Sequence, residues 1–360
     1  MPRRKAVTAD ARGTSQLGLE SESPARIEHL RPRAGFAVLG AGRYGLTLAE
    51  LLARRGHQVA LSGDDPARLH ALAQTRTDPV GLPELPYLHA GVTICADFAD
   101  AVASAHTLIV AVQASQMRTL ALRLGAHADP AHVVVHVVRG LEPETLERPS
   151  RLLRHQTALK KVGAMLGPAL VAELLAGRPN AFVVASRFPE VGDRMIEGFA
   201  SDSLRIYLSN DLVGVEIAAT AASVGAVAIG IALQLGLGPA TLGALIPRAA
   251  AEMARVVVAA GGKASSAWGL AGLGEMLALR ESESREVVAG RALGRGEPLA
   301  QVLATLGPVH AIEAVRTFAA LADRLGADAH IAQVVARILD GALPAREGVL
   351  ELMRLGPMVE

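Results

Sequence analysis

The residues with the plainest chemistry are the glycines of Gly40-Ala41-Gly42-Arg43-Tyr44-Gly45. The spacing G-x-G-x-x-G is weak evidence alone in a chain with 36 Gly. Here four apolar residues, Phe36-Ala37-Val38-Leu39, lead into it and a Leu/Ala-rich helical segment leaves it. In that strand–turn–helix setting it is a dinucleotide fingerprint. Gly40 allows the tight turn, Gly42 lets the backbone approach a pyrophosphate, and Gly45 lets the helix pack on the strand. The free N–H groups of the helix start then face the phosphates, and the helix dipole favours the anion.

A second set follows about twenty residues on. Asp64 and Asp65 stand where an acidic residue bonds the adenosine ribose hydroxyls. A carboxylate there repels a 2′-phosphate, so NAD is expected over NADP, with Arg68 close enough to leave NADP open. Asp65 precedes Pro66 and is equally suited to cap the next helix. His132 and His136 share a strand face but lack an apparent third ligand, so a metal site is not expected. The lone cysteine, Cys95, lies in the apolar run Val92-Thr93-Ile94-Cys95, which suits packing and excludes an internal disulfide.

These residues need elements to hold them. The spacing predicts strands at Phe36–Leu39, Gln58–Leu61, Val92–Cys95, Thr107–Val112, Val133–Val138, Ala181–Ser186 and Arg205–Ser209. Helices are expected near 46–54, 98–104 and 116–124, with a polar helix over Arg151–Val162 and a turn at Gly167-Pro168. Near-continuous apolar strands are those of a parallel sheet covered on both faces. Beyond Asn210 the strand signals stop, and the pattern predicts helices at Leu212–Leu235, Thr241–Ala259, Ser284–Leu293, Ala311–Arg324 and Ile331–Leu339. The fold class is therefore α/β: a Rossmann-type nucleotide domain over 35–210, then an all-α domain over 211–360. Residues 1–34 are basic and poor in apolar side chains, and are expected to be a disordered extension. Ile217 to Pro247 carries no charge, long enough to span a bilayer. Gly236, Gly238 and Pro239 break it, so a buried core helix is expected instead.

Composition narrows the classes. The chain has 360 residues, 51% hydrophobic and 20% charged, with a formal net charge of +1. It can bury a large core, and nothing in its charge marks a nucleic-acid footprint. A cytoplasmic protein that acts on a small molecule, as a homo-oligomer, is the expectation.

Several motifs in order resemble the NAD(P)-dependent glycerol-3-phosphate dehydrogenase family of bacteria. They are the fingerprint, Arg139-Gly140-Leu141-Glu142, Gly167-Pro168 with Glu173, Gly177 and Pro179, Asp211-Leu212-Val213-Gly214-Val215-Glu216, Pro247-Arg248 with Glu252-Met253, Gly269-Leu270-Ala271-Gly272-Leu273-Gly274, and Ser284-Arg285. The resemblance implies a hydride exchange between NAD(P)H and dihydroxyacetone phosphate, a phosphorylated triose, in a cleft between the two domains. It implies that Arg43, Tyr44, Arg285 and Glu313 join Gly40, Gly42, Gly45 and Asp64 at the cofactor. It places Arg139, Ser223, Glu275, Arg285 and Glu286 at the substrate, with Arg139 and Glu275 among the catalytic positions.

The chain departs from the family at the chemistry. The catalytic lysine position is Ala222, and the asparagine after it is Ser223. A second lysine position is Arg139, the aspartate after Gly-Leu-Gly is Glu275, and a nearby threonine is Leu279. The asparagine after the phosphate-binding arginine Arg285 is Glu286, and another asparagine is Ala240. A proton donor or cation at the developing alkoxide contributes ~10²–10⁴ in rate, and Ala222 supplies neither. Arg139 polarises a carbonyl but is a poor acid, and Glu286 opposes a phosphate. Two readings stand: a dehydrogenase with a shifted substrate or a relocated proton donor, His136 being one candidate, or a nucleotide-binding homologue without turnover.

Overall fold

The computed structural model describes residues 35–280, 284–307 and 309–354. The expected N-terminal extension lies outside them. Eight strands form one sheet: β1 (Phe36–Leu39), β2 (Val59–Ser62), β3 (Val92–Ile94), β4 (Thr107–Val110), β5 (Val133–His136), β6 (Lys161–Leu166), β7 (Asn180–Ser186) and β8 (Leu204–Ser209). Their spatial order is β3-β2-β1-β4-β5-β6-β7-β8. All neighbours run parallel except β6 and β7. The order reverses between β1 and β4, which opens a crevice at the C-terminal ends of those strands. Strands β1, β2, β4 and β5 are buried along their whole length, as sheets covered on both faces require.

One expectation fails in this region. The polar helix does not run to Val162: it covers Pro149–Gln156, and Lys161–Leu166 is a strand. The segment Val162-Gly163-Ala164-Met165-Leu166 is a continuous apolar run, but the polar residues ahead of it and the glycine within it masked the strand. Gly163 is needed there, because a Cβ would press on Val191 and the Ala185 carbonyl of β7.

After Ser209 the described chain is helical. Asp211 caps the long central helix Leu212–Gln234, accepting from Gly214 N (3.0 Å), Lys263 N (2.8 Å) and Ser266 Oγ (2.6 Å). This helix is long and apolar enough to cross a membrane, yet 94% of its most apolar window is buried within the fold. It ends before Gly236, and the next helix, Pro239–Ala259, starts on Pro239. The helices Arg285–Gly294, His310–Leu325 and His330–Leu339 close around it. The central helix meets Arg285–Gly294 at two glycines. A Cβ at Gly230 would overlap the Val287 carbonyl, and one at Gly290 would overlap the Val227 carbonyl. The two backbones therefore touch without side chains between them.

A deeply buried carboxylate ties the helical region to the sheet. Glu216 is 2% exposed. It receives Arg148 Nη1 (2.5 Å), Ser150 N (2.8 Å) and Ser150 Oγ (2.7 Å), and His136 Nε2 stands 3.0 Å away. Burial alone would raise its pKa, but Arg148, His136 and the Ser150 N–H overcome this and hold it at about 2. Glu252 does a related job. Both its oxygens accept from Ile331 N at 3.0 Å and so cap the helix His330–Leu339 from outside.

Candidate active site

The fingerprint helix, Arg43–Arg54, starts on Gly42 with no side chain capping its free N–H groups. Gly40 has φ +126, closed to most L residues, and a Cβ there would collide with the Ala111 carbonyl at the end of β4. A Cβ at Gly45 would overlap the Gly40 carbonyl. At Gly42, by contrast, nothing lies within 4 Å of the Cβ position. Open space in front of uncapped helical N–H groups fits a dinucleotide pyrophosphate.

The other residues expected at the cofactor are partly engaged. Arg43 pairs with Glu84. Asp64 follows β2, is half exposed, and pairs with Arg123. Asp65 accepts from Arg68 N at 3.0 Å and caps the helix Pro66–Thr75, so its role is the capping one. Arg68 pairs with Asp78. Glu313 reaches across from the helix His310–Leu325 and accepts from Ser115 N at 3.2 Å, just beyond β4. Arg285 starts the helix Arg285–Gly294 behind its cap Ser284.

The polar cluster sits beside this cradle. Arg139 follows β5, forms an ion pair through Nη2 with Glu275 Oε1 at 2.8 Å and donates Nη2 to the Gly167 carbonyl at 3.4 Å. Its guanidinium carbon lies 5.6 Å from the Tyr44 ring centre. Burial opposes the Arg139 charge, but Glu275, Tyr44 and Glu286 more than restore it. Glu275 follows the π-helical turn Leu270–Gly274 and is 1% exposed. Its Oε2 is buried with no hydrogen-bond partner among the described residues. Burial pushes its pKa up to about 7, against the pull of Arg139 and with Glu286 adding to the rise. Burial also pushes the Tyr44 hydroxyl up.

Glu275 therefore contributes stability in its neutral form, present below the ordinary carboxyl range near 4.5 and lost as pH rises through about 7. Glu275→Gln is expected to flatten the decline of the thermal midpoint between those pH values. An unchanged slope by calorimetry would refute this.

The remaining positions form a second group. Ala222 is fully buried in the central helix. Ser223, next to it, has Oγ 3.3 Å from His310 Nε2, and Glu286 Oε1 lies 3.1 Å from the same nitrogen. Burial tends to raise the Glu286 pKa, but His310, a backbone N–H, Arg139 and Ser284 bring it down. Burial pushes His310 down, partly offset by Glu286. Sequence reasoning missed His310. Only its place three residues before Glu313, on one face of a helix, hinted at it.

The structure closes one alternative, at His136, and corrects one expectation, the packed role of Cys95. His136 is no proton donor for the cleft: it is fully buried, its Nδ1 accepts from Val138 N (3.3 Å), and Nε2 faces Glu216. His132 is likewise turned inward, with Nε2 at 3.2 Å from the Val102 carbonyl. Cys95 is only partly buried, at the end of β3, and burial raises its thiol pKa.

Comparison with known proteins bears on this geometry. The family model described as NAD-dependent glycerol-3-phosphate dehydrogenase N-terminus matches residues 35–191, and its C-terminal counterpart matches 211–350. The glycerol-3-phosphate dehydrogenase [NAD(P)+] of Thioalkalivibrio sulfidiphilus is 36% identical over 327 residues, covering 88% of this chain and 96% of that protein. That of Polaromonas naphthalenivorans is 35% identical over 351 residues, covering 90% and 98%. The crystal structure of glycerol-3-phosphate dehydrogenase from Coxiella burnetii superposes with a TM-score of 0.85 at 26% identity, covering 90% of this chain and all of that one.

Proposed function

The chain belongs to the NAD-dependent glycerol-3-phosphate dehydrogenase family, and on that footing we propose that it is an NAD(P)-dependent oxidoreductase acting on a small ketone and its alcohol. The observation that carries the reading is the juxtaposition at the sheet's crevice. An open cradle at Gly42 adjoins Tyr44, Arg139 and Glu275, a buried cation and a carboxyl that titrates near neutrality. When bound, the nicotinamide supplies the hydride. The protein's part is to hold the pyrophosphate on the start of Arg43–Arg54, to polarise a carbonyl with Arg139, and to exclude water. Residues 35–210 would serve the nucleotide and 211–360 the substrate. Dihydroxyacetone phosphate is the first substrate to test, and other small ketones follow, because Ala222, Ser223 and Glu286 alter the family site. No observation favours the reading without turnover. NADH oxidation against dihydroxyacetone phosphate and a panel of small ketones tests the proposal. Failure with every ketone would end it.

NAD(H) is expected to bind more tightly than NADP(H). Asp64 follows β2, where a carboxylate would meet the ribose hydroxyls, and Arg68 is already committed to Asp78. Calorimetry with both nucleotides checks this. Tighter NADP(H) binding would reverse the preference and point to Arg123 or Arg68 as the phosphate partner.

A further inference from the structure

We infer that His310 carries the proton for this reaction, in place of the lysine absent at position 222, with Glu286 and Ser223 as its positioning residues. The inference rests on the proposed oxidoreductase activity. The departures at positions 223 and 286 are otherwise unrelated, and they lie on different helices. In the fold they converge on one nitrogen: Ser223 Oγ at 3.3 Å and Glu286 Oε1 at 3.1 Å from His310 Nε2. The changed residues thus form one polar unit beside Ala222.

The chemistry of that unit follows from which nitrogen is held. Glu286 is a carboxylate and can only accept, so Nε2 bears the proton that faces it. The neutral ring is then the Nε2–H tautomer, with its lone pair on Nδ1. Nδ1 has no hydrogen-bond partner among the described residues, and the side chain keeps 29% of its surface exposed. A carboxylate behind an imidazole fixes the ring and stabilises the imidazolium that forms when Nδ1 takes a proton. In ketone reduction, Nδ1–H of the imidazolium passes its proton to the carbonyl oxygen as the carbonyl carbon gains hydride from NAD(P)H. The C=O double bond becomes a C–O–H single bond and the ring returns to neutral. In the reverse direction Nδ1 takes the hydroxyl proton. The charged groups that act on His310 are Glu286 and Glu313, which favour its protonated form, and Arg139 and Arg285, which oppose it.

The test uses the full-length protein, the ketone panel and His310→Gln, with Glu286→Gln as the second variant. NADH affinity by fluorescence verifies that each variant is folded. In His310→Gln, kcat is expected to fall by ~10²–10⁴, with NADH affinity unchanged within a few-fold. In Glu286→Gln the pH profile of kcat is expected to shift to lower pH, because the imidazolium loses its counter-charge. A readout without turnover is ¹⁵N NMR of histidine-labelled protein. The ring signal absent from His310→Gln should report the Nε2–H tautomer, titrating at Nδ1. The inference is overturned if His310→Gln keeps kcat within about threefold, or if that ring is the Nδ1–H tautomer. If the unmodified protein oxidises NADH with no ketone, the proposed activity has failed, and the inference falls with it. If it turns over and His310→Gln does too, the inference alone has failed.

Discussion

Dihydroxyacetone phosphate is expected to be reduced with kcat/KM about 10²–10⁴ below the usual range for enzymes, ~10⁴–10⁸ M⁻¹s⁻¹. Two features act on different constants. Ala222 leaves the lysine position apolar and fully buried: no described lysine replaces its charge, so the developing alkoxide loses a fixed cation even with His310 carrying the proton. Lys161 pairs with Glu190, and Lys263 Nζ donates to Asn210 Oδ1 at 2.7 Å. Glu286 places a carboxylate beside Arg285, where the family resemblance puts the substrate phosphate. Two like charges about 4 Å apart cost roughly 1–4 kcal/mol between bulk water and a partly screened site. Arg139 cannot offset this freely, because Glu275 already holds it at 2.8 Å. The split is testable. Glu286→Asn is expected to lower KM for the phosphorylated ketone and to lower kcat at the same time, because His310 loses its carboxylate. A variant that gains in both constants would show that Glu286 merely blocks the site. An ordinary rate in the unmodified protein, on the order of 1–10³ s⁻¹, would show that the substitutions are neutral for this substrate.

Glu216→Ala is expected to destabilise the protein by about 3–5 kcal/mol, the usual result of removing one partner from a buried ion pair. Arg148 and Ser150 would keep their donors buried and lose the acceptor. For a chain of this size that is roughly a 10 °C fall in thermal midpoint. The pH dependence has a definite sign. The folded pKa is depressed to about 2, so the stabilisation is present above the ordinary value of 4.5 and disappears as pH falls between the two. Calorimetry of both proteins from pH 7 to pH 3 should show the wild-type advantage shrinking across the acid end. A fall of less than 2 °C at neutral pH would mean that Arg148 and Ser150 find water or other acceptors.

The sheet and the long helices were legible because their signals are local. Phe36–Leu39 running into the glycines, and the uncharged stretch from Ile217, each declare an element within a dozen residues. The strand at Lys161–Leu166 was hidden by the polar residues ahead of it and by a glycine that only the neighbouring strand explains. The glycine turn and the uncapped helix start at Gly42 were readable for the same reason as β1: their parts are consecutive. The proton-bearing group was not. Ser223, Glu286 and His310 are separated by 63 and 24 residues, and only tertiary packing brings them within hydrogen-bond range. Asp65 shows the opposite limit, since one residue satisfied two patterns and the hydrogen bond from Arg68 N chose between them.

The glycine crossing has a mechanical consequence. Gly290 lies five residues along the same rigid helix from Arg285 and four from Glu286, while Gly230 lies seven along the central helix from Ser223. Backbone contact at the crossing makes it a fulcrum. Any side chain inserted there lifts one rod off the other and swings Glu286 away from His310 and Ser223. The spacing between those three groups is thus set about one to two helical turns away, by two glycines that carry no side chain. Directed evolution of the specificity of this cleft would therefore find mutations at 230 and 290 disruptive, and would have to travel through the side chains at the rim instead.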